Sequence, residues 1–192
     1  MNICIYGASS NKIDPVFMEQ TEKLGKKLAS HGHTLVFGGG TNGLMGAAAR
    51  GFSKKNGKIV GIAPSFFNVD GVLYDKCDRF IYPETMRERK KLMEQMSDGF
   101  IVTPGGVGTF DEFFEILTLK QLGLHSKPIA IFNINGYFDS LIATLNSAID
   151  AKFMDSATLE LCPAFNDIDP LITYLENYKG EAKLYKCIAG EK

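Results

Sequence analysis

Residues 99–109 read GFIVTPGGVGT, an apolar run that leads directly into a glycine-rich turn. The run shows no alternation of polar and apolar residues, which is typical of a strand buried on both faces. Beyond the turn, a helical pattern continues from about residue 110 to residue 122. Because a strand, a tight turn and a helix in this order form the repeating unit of a parallel sheet, this stretch predicts an α/β fold.

The same unit recurs along the rest of the chain, where the runs LVFGG, IVGIA and PIAIF also suit strands covered on both faces. Strands are predicted at residues 2–6, 34–37, 58–63, 79–82, 99–103 and 128–132. Helices are predicted at residues 15–30, 44–53, 84–97, 110–122, 137–151 and from 167 to about 177. Asp14 and Pro15 suit the N-cap and the first position of the first helix. We expect one α/β domain over residues 1–192, with a parallel sheet between two helical layers.

Composition excludes several classes of protein. The chain has 192 residues, of which 45% are hydrophobic and 22% charged, as in an ordinary globular domain. A net charge of −1 argues against a nucleic-acid partner, and no apolar stretch is long enough to span a membrane. The N-terminus enters a strand at once without a signal segment, so a cytoplasmic location is expected. Thiols without a metal-binding or disulfide spacing are expected to be buried or idle, namely Cys4, Cys77, Cys162 and Cys187.

Three turns each join a predicted strand to a helix N-terminus: residues 7–10 (GASS), 38–46 (GGGTNGLMG) and 104–109 (PGGVGT). Free backbone N–H groups and the helix dipole attract a phosphate at such a place. The alternative is that these glycines only turn the chain. Neither the GxGxxG pattern nor a Walker GK[ST] is present, so the turns favour a mononucleotide bound without Mg²⁺, another metal or a cofactor.

Glu112 has two interpretations. Thr109 and Glu112 have the spacing of a capping box, in which the glutamate side chain bonds back to the N-cap amide. The alternative is a functional carboxylate in the first turn of a helix, beside a phosphate-binding loop. The spacing alone leaves both interpretations open.

The charged run at residues 86–91 also allows two interpretations, a solvated helix face or a stripe that turns inward. Helical spacing puts one set of residues on a common stripe: Met86, Arg89, Lys90, Met93 and Ser97. Arg87, Lys91 and Glu94 fall on another face, where solvent is expected. A cation on the first stripe needs a partner, and a phosphate, Glu112 or a second protein surface would serve.

The motifs together resemble the LONELY GUY (LOG) family of cytokinin riboside 5′-monophosphate phosphoribohydrolases, also known under the label "lysine decarboxylase". PGGVGTFDE at residues 104–112 matches the family signature PGGxGTxxE. FGGGTNGLMG at 37–46 resembles YGGGxxGLMG, MRERK at 86–90 resembles MHxRK, and GASS resembles the family's GSS turn. The pieces occur in family order up to about residue 132.

The resemblance implies a Rossmann-like fold, a homodimer, and hydrolysis of a nucleoside 5′-monophosphate to free base and ribose 5-phosphate. The family's catalytic residues fall on Arg89 and Glu112. Together, the family resemblance and the three turns imply a set of residues that contact the substrate: Gly7, Ser9, Gly39, Gly40, Gly43, Met86, Lys90, Gly105, Gly106, Gly108, Thr109 and Thr118. Arg87 stands where the family has His, and Phe37 where it has Tyr.

The chemistry is coherent on its own terms, because cleavage of an N-glycosidic bond develops positive charge that a fixed carboxylate stabilises. A decarboxylase would need a pyridoxal phosphate lysine, and no lysine stands out. Two further hypotheses are a nucleotide-binding sensor or carrier without turnover, and a scaffold with purely structural glycines. The base could be adenine or prenylated adenine, with the predicted loop at 64–77 as a candidate wall. Surface positions are expected for the histidines: His31, His33 and His125.

Overall fold

The computed structural model describes residues 1–180, and seven strands and seven α-helices lie in that part of the chain. The strands are β1 Asn2–Tyr6, β2 Thr34–Phe37, β3 Ile59–Ile62, β4 Arg79–Ile81, β5 Gly99–Val102, β6 Ile129–Phe132 and β7 Ala164–Phe165. The helices are α1 Pro15–Ser30, α2 Gly43–Ser53, α3 Met86–Met96, α4 Val107–Gln121, α5 Asp139–Asp150, α6 Ala157–Glu160 and α7 Ile168–Asn177. Residues 181–192 of the expected domain, with Cys187, lie outside the described residues.

The strands form one sheet in the order β4-β3-β2-β1-β5-β6-β7, and every neighbouring pair is parallel. Strands β2, β3 and β4 are added in turn on one side of β1, and β5, β6 and β7 are added in turn on its other side. The register aligns Ile3 with Gly99 and Tyr6 with Val102, so β1 and β5 end side by side. In an open α/β sheet the ligand crevice lies at this reversal, outside the carboxyl ends of the strands.

Helices cover both faces of the sheet, which confirms the predicted three-layer Rossmann-like fold. Alternate residues of a strand point to opposite faces, so Ile3 and Ile5 enter one core while Cys4 and Tyr6 enter the other. The first core packs against α1, α2 and α7, and the second against α3, α4 and α5. Burial on both faces explains why the strands are apolar throughout.

The starts of α1 and α3 have clear local causes. Asp14 is the N-cap of α1 and accepts a hydrogen bond from the Val16 amide at 3.0 Å, while Pro15 occupies the first turn, as predicted. Thr85 caps α3 in the same way and accepts from the Glu88 amide at 3.1 Å. These caps fix where each helix leaves its preceding loop.

Helix α4 begins three residues earlier than the sequence suggested. Its N-cap is Gly106 in an extended conformation, so Thr109 lies inside the first turn. The capping-box interpretation of Thr109 and Glu112 is therefore wrong, because Thr109 is not at the N-cap position that a capping box requires. Glu112 lies one turn further along the helix and is free to face the sheet edge.

Short elements at the second edge of the sheet were not predicted. α6 has four residues and β7 has two, and neither length gives a recognisable periodicity. At the other edge, the predicted loop at 64–77 contains a single 3-10 turn at Ser65–Phe67.

The thiols and histidines occupy varied positions. Cys4 and Cys162 are buried and Cys77 is half-buried, and burial raises the pKa of each thiol to about 12. The expected surface position is wrong for His33, which is buried. His125 is half-buried, and its Nε2 lies 2.8 Å from the Ile116 carbonyl. No helix within residues 1–180 combines the length and the apolar character that crossing a membrane requires.

Candidate active site

The N-terminus of α4 offers free amides at the carboxyl end of β5. Within residues 1–180, no acceptor faces the backbone N–H groups of Val107, Gly108 and Thr109. A Cβ built on Gly106 or Gly108 would meet no protein atom within 4 Å, so the space in front of these amides is open. Unpaired amides and the positive end of the helix dipole make this a place for an anion such as a phosphate.

The N-terminus of α2 is arranged differently, because its amides are already bonded within the protein. The Ala8 carbonyl accepts from the amides of Leu44 at 2.8 Å and Met45 at 3.4 Å. Asn11 Oδ1 accepts from the Gly43 amide at 2.8 Å. Gly43 has a φ of +59°, and a Cβ there would overlap the Ala8 carbonyl. This glycine turn therefore joins α2 to the first turn, and its first amides are not available to a phosphate.

Arg89 from α3 and Glu112 from α4 meet at the reversal point of the sheet. Arg89 Nη1 lies 3.0 Å from Glu112 Oε1, and both residues are buried at 8% exposure. Arg89 Nε also donates to the Ile62 carbonyl at 3.2 Å. The guanidinium is thus held by the end of β3 on one side and a carboxylate on the other, as a buried charge requires.

Gly38, which the sequence analysis did not single out from its glycine run, makes room for Arg89. A Cβ on Gly38 would overlap Arg89 Nη2 and lie 3.1 Å from Met45 Sδ. Any larger residue would displace the guanidinium. Sequence could flag the whole run at 38–46, but only the folded packing shows which glycine faces the arginine.

Burial and the charge of Arg89 act in opposite directions on the pKa of Glu112. Burial raises the pKa of Glu112 to about 7, although the positive charge of Arg89 opposes this rise. A carboxyl with a pKa near neutrality exchanges protons readily at physiological pH, which suits a general base.

These groups share one cavity of about 640 Å³ at the carboxyl edge of the sheet. The predicted site residues that line it are Gly7, Ser9, Gly40, Met86, Arg89, Gly106, Gly108, Thr109 and Glu112. An apolar wall of the cavity comes from the 64–77 segment and includes Phe67, Val72 and Leu73. This segment is joined to the second glycine turn, where the Thr41 amide donates to the Val72 carbonyl at 3.0 Å. The open amides of α4, the Arg89–Glu112 pair and an apolar wall thus share one cavity.

Five predicted site residues do not line this cavity: Gly39, Gly43, Lys90, Gly105 and Thr118. Thr118 is exposed on α4, and Gly39 packs against the Phe80 ring. Gly105 lies beneath the Thr109 side chain, and its carbonyl accepts a hydrogen bond from the Tyr137 hydroxyl at 2.6 Å. Gly105 therefore shapes the loop rather than the cavity surface.

Lys90 faces a second cavity, of about 560 Å³, between α3 and α4. It pairs with Asp111 at 3.0 Å and with Glu115. Glu112 lines both cavities and separates them. Arg87 and Lys91 are exposed whereas Arg89 and Met93 are buried, so of the two interpretations of this charged run the structure supports a stripe that turns inward at its centre.

A doubly wound sheet with its cavity at the strand reversal places the chain in the class of Rossmann-like α/β proteins. A family model described as "possible lysine decarboxylase" matches residues 45–175. A cytokinin riboside 5′-monophosphate phosphoribohydrolase of Arabidopsis thaliana is 31% identical over 92% of this chain and 83% of its own length. One of Mycobacterium tuberculosis is 38% identical over 82% of this chain and 84% of its own. The chain belongs to the LOG family, as its motifs predicted.

Solved structures share the fold at lower identity. The molybdenum cofactor binding protein of Rippkaea orientalis superposes with a TM-score of 0.71 at 23% identity, over 91% of this chain and 94% of its own. This likeness extends the fold to proteins whose names describe binding of a cofactor.

Proposed function

We propose that this chain hydrolyses the N-glycosidic bond of a nucleoside 5′-monophosphate, AMP or its N6-prenylated form, to the free base and ribose 5-phosphate. The observation that carries the proposal is the buried Arg89–Glu112 pair, which shares a cavity with the unpaired amides at the start of α4. Membership of the LOG family supports it, since relatives carry the corresponding name.

The substrate phosphate binds at the N-terminus of α4, where Val107, Gly108 and Thr109 present their amides. The ribose then lies over Glu112, and the base extends toward the apolar wall that includes Phe67 and Val72. This orientation is supported by the presence of the free amides, the carboxylate and the apolar wall in one cavity.

The bond from C1′ to the base nitrogen breaks with its electron pair going to the base, so positive charge develops on the ribose. The ionised Glu112 carboxylate stabilises that charge and accepts a proton as water adds to C1′. The departing base takes up one proton at the nitrogen that left C1′, and Glu112 gives up the proton that it accepted, so the protons balance and the carboxylate is regenerated. Arg89 favours the ionised carboxylate and fixes its position with a 3.0 Å hydrogen-bonded ion pair. The reaction consumes water alone, so the proposal requires neither a metal nor a cofactor.

The direct test is to incubate the purified chain with AMP and with N6-isopentenyl-AMP, and to measure the free base by chromatography. We expect base release from at least one substrate. Glu112→Gln and Arg89→Ala should each abolish release while the protein stays folded. Arg87→Ala is the matched control, because Arg87 is an exposed cation two residues away on the same helix, and it should keep most of the activity.

The same assays separate the competing hypotheses. Tight nucleotide binding without base release would identify a sensor or carrier and overturn the hydrolase proposal. Failure of every nucleotide and phosphate to raise the melting temperature would identify a scaffold with structural glycines, since a ligand of the native state must stabilise it. A homodimer is part of the proposal, and light scattering should give about twice the chain mass of 21.1 kDa.

A further inference from the structure

Two histidines and a glutamate meet at the edge of the sheet opposite the candidate active site. His31 is the C-cap of α1, His33 directly precedes β2, and Glu176 lies in the last turn of α7. β2 begins there beside the start of β1, where the Thr34 amide donates to the Met1 carbonyl at 2.9 Å. The three side chains are therefore at the amino ends of the strands, whereas the cavity is at the carboxyl ends.

The fold converges these groups from two separate parts of the chain. Gly32, with a φ of +78°, reverses the backbone between the two histidines and turns both rings toward α7. Glu176 Oε1 lies 3.0 Å from His31 Nδ1 and 3.0 Å from His33 Nε2. The second nitrogen of His33, Nδ1, lies 3.4 Å from the amino nitrogen of Met1.

The separations fit a common ligand shell. All three donor atoms lie within 4.8 Å of one another, and within residues 1–180 this is the one group of three or more His, Cys, Asp or Glu side chains so placed. Ligands at 2.0–2.1 Å from a tetrahedral metal ion are about 3.3 Å apart, close to the two observed separations of 3.0 Å. Small side-chain rotations would bring the atoms into that shell.

We propose that His31 Nδ1, His33 Nε2 and Glu176 Oε1 form a binding site for a divalent first-row transition metal ion such as Zn²⁺. Imidazole nitrogens with one carboxylate oxygen select such ions over Mg²⁺ or Ca²⁺, which prefer oxygen ligands. The His31 and Glu176 side chains are 39% and 35% exposed, so the ion can enter from solvent and keep water at its remaining position.

A bound ion would also connect distant elements. It would join α7 to the segment between α1 and β2, a link now made by hydrogen bonds to a single carboxylate oxygen. Because the ion binds only where the native fold brings these groups together, it must stabilise that fold.

Calorimetric titration of tag-free, chelator-treated protein with Zn²⁺ tests the proposal, and Mg²⁺ serves as the oxygen-preferring control ion. We expect one Zn²⁺ per chain and no heat from Mg²⁺. His31→Ala and Glu176→Gln should each weaken Zn²⁺ binding by at least about tenfold. Glu22→Gln is the matched control, because Glu22 is a carboxylate paired with cations on other helical residues, and it should leave binding unchanged.

A second measurement gives an independent readout. Zn²⁺ at about 100 times its Kd should raise the melting temperature of the wild-type chain by about 5–10 °C. That shift should vanish in His31→Ala and Glu176→Gln and remain in Glu22→Gln. Absence of Zn²⁺ binding to the wild type, or equal binding by all variants, would overturn the proposal. Base release is expected to be the same with and without Zn²⁺. The outcome of the Zn²⁺ experiments is therefore independent of whether the chain is a hydrolase.

Discussion

Glu112 illustrates how two opposed effects act on one residue. Burial disfavours its carboxylate form, while the guanidinium of Arg89 at 3.0 Å favours it. Burial has the larger effect, and the resulting pKa of about 7 lies well above the usual value of 4.5. Above that pKa the group is ionised and able to stabilise positive charge, and below it the group is neutral.

The rate of base release should therefore fall as the pH drops through 7, because the active carboxylate form of Glu112 is lost. The measurement is kcat at saturating substrate, since the substrate phosphate itself titrates near pH 6 and would perturb kcat/KM. In Arg89→Ala, a carbon-13 NMR titration should show a further rise in the pKa of Glu112, because the opposing charge is gone. A kcat that holds constant from pH 8 to pH 5 would contradict this role.

Substitution of two glycines near the candidate site should affect different kinetic constants, kcat for Gly38 and KM for Gly108. Gly38→Ala places a methyl group where Arg89 Nη2 lies, so kcat should fall by about 100-fold as the guanidinium is misplaced. In Gly108→Ala the new Cβ meets no protein atom, so stability should hold. It adds bulk at the N-terminus of α4, where we propose that the phosphate binds, so KM should rise. Circular dichroism checks folding, and the reverse pattern of kcat and KM would be inconsistent with this geometry.

Sequence reasoning at this scale could place Arg89 but not Gly38. Helical spacing made an inward direction of Arg89 one of two interpretations, because Met93 and Ser97 share its stripe, and the structure shows that all three residues are buried. A glycine is needed at position 38 because the residue after β2 contacts the Arg89 side chain of α3. The residue pattern within either element alone cannot predict such a contact.

At the scale of elements, two helix N-termini that look alike in the sequence have different roles. α2 has its first amides bonded to Ala8 and Asn11, whereas α4 leaves the amides of Val107, Gly108 and Thr109 open. Both follow glycine-rich turns, so composition could not distinguish them. The difference depends on the neighbouring turn at residues 7–11, which offers the Ala8 carbonyl and the Asn11 side chain to the amides of α2. Toward α4 the same turn only donates, from the Ala8 amide to the Pro104 carbonyl at 3.0 Å.

The Tyr137 hydroxyl should support the loop that we propose binds the substrate phosphate, because it donates to the Gly105 carbonyl at 2.6 Å. Tyr137→Phe should lower the free energy of unfolding by about 1 kcal/mol and weaken binding of ribose 5-phosphate. Urea unfolding and calorimetry measure the two effects. Tyr82→Phe is the control, since Tyr82 is an exposed tyrosine outside the cavity lining. Equal binding by both variants would exclude a positioning role for Tyr137.

At the scale of the whole molecule, the strand order places the cavity. The sequence predicted six of the strands and their parallel pairing, because long apolar runs alternate with helices. It could not give the order of the strands, since the reversal between β1 and β5 depends on which helices cover which face. Family membership could be predicted only because motifs far apart in the chain were considered together, and the same comparison gave Arg89 and Glu112 as candidate site residues.

A phosphorylated sugar should stabilise the whole fold. Ribose 5-phosphate at 100 times its Kd should add about 2.7 kcal/mol to the free energy of unfolding. For a chain of this size that corresponds to a rise in melting temperature of about 5–10 °C, measurable by scanning calorimetry. Ribose without phosphate is the control and should give little shift, because it lacks the phosphate that we propose binds at the N-terminus of α4. Similar shifts from both sugars would contradict an anion site at this helix.

The hydrogen bonds between residues 8–11 and the start of α2 also limit how far the cavity can widen. Ala8 bonds to Leu44, and Asn11 bonds to both Gly43 and the Asn42 side chain at 2.7 Å. Because of these bonds, α2 and the turn can move only together, so we expect this side of the cavity to be rigid. Val72 is joined to the same glycine run, because its carbonyl accepts from the Thr41 amide at 3.0 Å. Widening to admit a bulky base therefore falls to the 3-10 turn at Ser65–Phe67, whose Phe67 side chain lines the cavity.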